Sequence, residues 1–250
     1  MNSILLCAAL LGGSSLLGSV IGLIVRRIPH KLNDVFMGFC AGMMLTASIV
    51  CLILPAVDET VFADWWQIVL GVAAGVALIG LLDRITPHLH HLSGIDETEP
   101  HHNVVSLNRT LLFVMAIALH KLPEGIATGV TFNGLEDNAL AITVTIALQN
   151  IPEGMVVVTP LLMVGVKIFN TVAIAAAVAF LEVIGVFIGY FLGDISAAML
   201  PMLLAMAGGA MLYVISDEMI PETHSHGFQK AATYALVAGV MAMLFIERAI

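Results

Sequence analysis

The chain contains eight stretches rich in apolar residues, most of them near the length of about 20 that a helix needs to cross hydrocarbon. Their approximate limits are 5–25, 35–57, 65–82, 111–132, 139–164, 168–192, 195–216 and 231–246. The last is short, and would stand upright or borrow flanking residues. Sixty per cent of the 250 residues are hydrophobic and 11% charged, whereas soluble domains have about 45–50% and 25%. A soluble globular enzyme and a disordered chain are thereby excluded. Nine Lys+Arg against eighteen Asp+Glu leave no basic footprint for nucleic acid. Cys7, Cys40 and Cys51 lie in apolar runs without a Cys-x-x-Cys pair, so neither a disulfide framework nor a zinc finger is indicated. The expected fold class is all-α: a polytopic membrane protein of eight transmembrane helices, forming one domain over 1–250. The first stretch lacks a basic leader and exceeds the apolar core of a signal peptide, so a retained span is expected.

Orientation follows from the basic residues, which collect on the cytoplasmic side. With the turn after the first span placed there, Arg26, Arg27, Lys31, Arg84, Arg109, Lys167 and Lys230 face the cytoplasm and only Arg248 lies outside. An even number of spans then puts both termini outside. The outer connections carry Asp58, Glu59, Asp64, Glu136, Asp137 and Asp194, a negative rim that would raise the local cation concentration. The one connection long enough to be a true loop is 83–110, on the cytoplasmic side.

Ionisable groups at mid-membrane are costly and therefore point to function. Four fall near span centres: Lys121 and Glu124 in the fourth, Glu153 in the fifth and Glu182 in the sixth. The fourth span reads His120-Lys121-Leu122-Pro123-Glu124-Gly125, and the fifth Gln149-Asn150-Ile151-Pro152-Glu153-Gly154. His120/Glu124 and Gln149/Glu153 are i, i+4 pairs, so each pair shares a helix face. Thr128 and Thr131 extend the first stripe and Thr145 the second. Adjacent spans run oppositely, so the repeated Pro-Glu-Gly is an inverted local repeat. Each proline removes a helical hydrogen bond and crowds a carbonyl one turn back, so broken or kinked helices are expected there. Paired interruptions of this kind point to a transporter's binding site.

One imidazole, two or three carboxylates and two amides suit borderline divalent metals: zinc, iron, manganese or cadmium. Three glutamates and Lys121 sum to −2, which one divalent ion cancels. Without the ion, such a cluster is expected to take up protons or draw in around Lys121, and to bind metal more weakly at low pH. Polar glue between helices is the plain alternative, and a single mid-span glutamate would suit it.

At these residues the sequence resembles the ZIP (Zrt/Irt-like protein) family of divalent-metal transporters, and among them the compact bacterial GufA/ZupT-like branch. The family carries a His-Asn-x-Pro-Glu-Gly type motif in its fourth helix and a related Pro-Glu-Gly motif in its fifth. The resemblance implies that His120, Glu124, Gln149 and Glu153 hold the principal transported metal. A second metal is often bridged by the same glutamates and held by the residues matching Lys121, Asn150 and Glu182. Lys121 stands where the family usually has asparagine; an ammonium cannot ligate a metal, which implies a one-metal site. The resemblance further implies a homodimer, a bundle of spans one, four, five and six moving against the others, and metal import across the inner membrane of a bacterium. The metal is cargo, and no catalytic cofactor is implied.

Three further features carry expectations. His88, His90, His91, His101 and His102 in the 83–110 loop form a candidate metal-capture segment, since histidine-rich tracts bind metals; a plain polar loop is the alternative. Asp217 and Glu218, followed by His224 and His226, stand where the resemblance places an exit site, though its first member is usually histidine. Thr46 and Ser48 on span two could line a path, but small polar residues in membrane helices more often bond to their own backbone. A metal-selective channel would use the same central site. An intramembrane metal-dependent hydrolase is disfavoured by the absence of His-Glu-x-x-His and Gly-x-Ser-x-Gly, so the protein is expected not to be an enzyme.

Overall fold

The computed structural model describes residues 2–25, 29–58, 64–85, 102–132, 136–195 and 199–249. Among these residues all regular structure is helical. The elements are α1 (Asn2–Val25), α2 (His30–Thr46, continued through a π-helical Ala47–Ile53 and Leu54–Asp58), α3 (Trp66–Ile85) and α4 (His102–Thr131). They are followed by α5 (Glu136–Met163), α6 (Ile168–Ile195), α7 (Leu200–Val214, continued through a π-helical Ile215–Met219 and Ile220–Thr223) and α8 (Gln229–Ala249). By length and composition α1, α2, α5, α6, α7 and α8 can each cross a membrane. Helix α3 adds a shorter apolar segment, Trp66–Leu81. The protein is an all-helical polytopic membrane protein.

The surface and interior are those of a protein in hydrocarbon. Phe169, Phe180 and Phe191 on α6 are 82%, 62% and 63% exposed. Their 11-residue spacing returns to nearly the same side of a helix, giving α6 an aromatic outer stripe. The polar side chains of the central motifs are buried instead. Lipid cannot satisfy a polar group, so such groups must find partners inside the bundle.

Two apolar clusters organise the packing. One draws on α2, α3, α7 and α8, with parts of α4 and α5, and buries Met37, Met44, Leu52, Ile79, Ile117, Leu161, Leu204, Met211 and Met243 together. The smaller joins α1, α5 and α6 through Ile4, Cys7, Leu11, Ile146 and Val186. Helices α4 and α6 meet backbone to backbone. A Cβ on Gly185 would lie 2.5 Å from the Leu122 carbonyl oxygen, and one on Gly125 would run into the Glu182 carbonyl. Small residues permit such approach, which drives helix association where lipid supplies no hydrophobic force.

The structure departs from the expected helices in several respects. The fourth and fifth helices are not broken: α4 runs through Pro123 and α5 through Pro152 and Pro160. A proline removes one bond only, and the bonds on either side keep the helix continuous. The departures from α geometry fall elsewhere, immediately before Pro55 and Pro221, where Leu54 N–H donates to Ile49 O and Ile220 N–H to Ile215 O. The i→i−5 register widens the turn just before each proline ring. Finally, the 83–110 segment is helical at both ends, since α3 reaches Ile85 and α4 begins at His102. Hydropathy marks where a helix leaves hydrocarbon, not where its backbone hydrogen bonds stop. For the same reason α7 extends to Thr223, beyond the expected limit of 216.

Candidate functional site

Helices α4, α5 and α6 bring Glu124, Glu153 and Glu182 into one volume, all with 0% of their surface exposed. His120, Gln149 and Asn150 join them at 0%, and Lys121 at 2%. A nitrogen of His120 and one carboxylate oxygen each from Glu124 and Glu153 lie within 4.8 Å of one another. Among the described residues this is the group of histidine, cysteine and acidic side chains close enough to share a metal ion.

The contacts run across helices rather than along them. His120 Nε2 on α4 is in hydrogen-bond contact with Glu153 Oε1 on α5. In return, Gln149 Nε2 on α5 donates to Glu124 Oε1 on α4, at 2.9 Å. Each motif thus supplies the partner for the other motif's glutamate. The i, i+4 spacing within each helix makes this exchange possible, because both members of a pair face the opposing helix.

Lys121 Nζ closes the other side of the cluster. It donates to Glu124 Oε2 at 2.8 Å and to Asn150 Oδ1. It lies 2.6 Å from Glu153 Oε2 and 3.8 Å from Glu182 Oε1. Glu182 is held by Asn150 Nδ2 at 2.6 Å and by Ser15 Oγ of α1 at 2.8 Å. The carboxylates therefore gather around the ammonium, which offsets part of their mutual repulsion in a medium of low dielectric.

Three buried polar atoms of the cluster make no hydrogen bond: His120 Nδ1, Gln149 Oε1 and Glu153 Oε2, the last of them in ion-pair contact with Lys121. An imidazole nitrogen and an amide oxygen are both metal-ligand types.

Ser15 is the contributor that sequence reasoning missed. On α1 it lies four residues before Ser19 and next but two before Gly18, a run of small residues that signals close packing but does not reveal a glutamate opposite. Ser15→Ala should leave a buried carboxylate short of a donor and lower stability by about 1–3 kcal/mol. A melting temperature in detergent equal to that of the unaltered protein would show that Glu182 gains nothing from this bond.

The other expected positions fall outside the cluster. Thr128 Oγ1 donates to Glu124 O and Thr131 Oγ1 to Thr128 O. Thr46 and Ser48 likewise bond to the carbonyls of Gly42 and Leu45. These hydroxyls serve their own backbone. Asp217 is exposed and Glu218 half-buried in the π-helical turn of α7. Nearby, His226 Nδ1 lies 3.0 Å from Oδ1 of Asp34, a fully buried residue on α2 that the sequence did not single out. His88, His90, His91 and His101 lie outside the described residues, as do Arg26, Arg27 and Glu59. His102 is the first residue of α4.

The profile of the family described as ZIP Zinc transporter matches residues 86–247. Zinc transporter ZIPB of Bordetella bronchiseptica is 38% identical, over 97% of this chain and 81% of its own length. Zinc transporter GufA of Myxococcus xanthus is 35% identical over 97% of both chains. Zinc transporter ZupT of Clostridium perfringens is 30% identical, over 97% of this chain and 95% of its own. The matched region contains both Pro-Glu-Gly motifs and all of α4 to α7, and the chain belongs to the ZIP zinc transporter family.

Proposed function

We propose that this protein carries zinc across a membrane, and that His120, Glu124, Gln149 and Glu153 hold the ion at mid-depth. The observation that carries the reading is the facing pair of Pro-Glu-Gly glutamates beside His120, fully buried and with one ligand atom from each of the three within 4.8 Å of one another. An imidazole nitrogen and carboxylate oxygens are ligands that zinc accepts at about 2.0–2.2 Å. Gln149 now donates to Glu124 through its nitrogen. A half-turn of its amide would present Oε1 to the ion instead. The names of the relatives support zinc; the ligand set also admits iron, manganese and cadmium.

Around this site the fuller reading is one domain over 1–250 with eight transmembrane helices, α3 and α4 joining the six long apolar ones. The distribution of Lys and Arg supports both termini outside the cytoplasm, and family membership supports import through a bacterial inner membrane by a homodimer. Asp217 and Glu218 are proposed to receive the ion at the inner end, near Asp34 and His226. The histidines of the 83–110 segment are proposed to capture it beyond. Lys121, Asn150 and Glu182 support the ligand glutamates.

Zinc uptake by proteoliposomes tests the reading. The expected result is saturable flux that competes with cadmium and iron, and a turnover far below that of a channel. No uptake above empty liposomes, or a large unitary conductance, would overturn the carrier.

A further inference from the structure

The two central glutamates divide their oxygens in the same way. Glu124 turns Oε1 to Gln149 and Oε2 to Lys121. Glu153 turns Oε1 to His120 and Oε2 to Lys121. Two carboxylates that each face two ways define two cation positions, one on either side of the bridge. The first is walled by His120, Gln149 and the two Oε1 atoms. The second is walled by the two Oε2 atoms and Asn150 Oδ1, with Glu182 Oε1 farther out at 3.8 Å.

Resting on the site proposed above, we infer that the Lys121 ammonium is a built-in second cation: it fills one of the two bridged positions and limits the cluster to a single transported ion. An ammonium has three donors and no lone pair. Three near oxygens surround it, from Glu124, Glu153 and Asn150. It therefore satisfies the position as a metal would, but cannot coordinate one and repels a second ion placed there.

Charge supports the same count. Three glutamates and Lys121 give −2, so one zinc ion brings the cluster to zero and two would leave +2. A buried surplus of that size is strongly unfavourable. Unlike a metal, the ammonium is covalently tethered and cannot leave with the cargo. It keeps Glu124 and Glu153 turned toward the first position after the ion departs. The carrier then need not recruit a second ion to rebuild its site.

The test is the number of zinc ions held by the purified full chain, measured by equilibrium dialysis and elemental analysis. Zinc held elsewhere is subtracted using the Glu124→Ala/Glu153→Ala double variant. The expected difference is one ion per chain. Lys121→Asn should raise it to two, Lys121→Arg should keep it at one, and adding Glu182→Gln to Lys121→Asn should return it to one. A difference of two in the unaltered chain overturns the inference, as does a folded Lys121→Asn variant that stays at one. If Lys121→Asn does not fold, the counts for the unaltered chain and Lys121→Arg still decide. A difference of zero instead overturns the metal site itself, and the two failures are thereby told apart.

Discussion

Glu153→Ala should reduce zinc uptake by proteoliposomes by roughly 100-fold or more, since even outer partners of a metal site cost about 10–100-fold when removed. The change deletes the carboxylate that meets His120 on one side and Lys121 on the other. It removes a proposed ligand and one of the two carboxylates that face each other between α4 and α5. Glu153→Gln tests charge against shape: it keeps the size of the side chain but leaves the cluster at −1, too little to neutralise a divalent ion. Both variants should lose uptake, and Glu124→Ala should match them. Uptake within twofold of the unaltered protein in Glu153→Ala would remove the central site from the transport path. A melting curve separates lost chemistry from lost folding, because removing one partner of a buried ion pair can itself cost about 3–5 kcal/mol.

Gly154→Val is expected to abolish uptake by a different route. A Cβ at Gly154 would lie 2.9 Å from Ser19 N and closer still to Ser15 O, so α1 and α5 could not keep their present approach. Overpacking of this kind typically costs about 1–3 kcal/mol, and here the contacts are backbone, which cannot rotate away. Ser15 also donates to Glu182. Pushing α1 outward would therefore disturb the glutamate that anchors Asn150. The expected outcome is a lower unfolding temperature together with lost zinc uptake. Full uptake at an unchanged melting temperature would show that the glycine of the motif has no packing role.

Most of the membrane architecture was legible in the chain. Runs of apolar residues locate spans because hydrocarbon imposes a length and forbids unpaired polar groups. The site was legible for the same reason. A charge inside such a run has no bland explanation as a solvated surface group, so Lys121, Glu124, Glu153 and Glu182 stood out, and the i, i+4 spacing fixed which neighbours shared their faces. Helix limits were less legible. The extension of α4 back to His102 passes through polar residues that hydropathy assigns to a loop but that carry no helix breaker. Pro123 and Pro152, where broken or kinked helices were expected, leave α4 and α5 unbroken, whereas Pro55 and Pro221 close π-helical turns that their spacing did not announce.

What the sequence by itself determined is the chemistry within the apolar runs: which polar and ionisable side chains are present, on which helices, and their summed charge. It could not determine partners, because a face is a one-dimensional property and a contact is not. Only the packed structure paired His120 with Glu153 and Gln149 with Glu124 across the two motifs, set Lys121 between Oε2 atoms of both glutamates, and brought Ser15 from α1 to Glu182 over 167 positions of sequence. Those pairings rest on the close backbone approach at Gly125, Gly154 and Gly185, where an added Cβ would meet a backbone carbonyl of the facing helix.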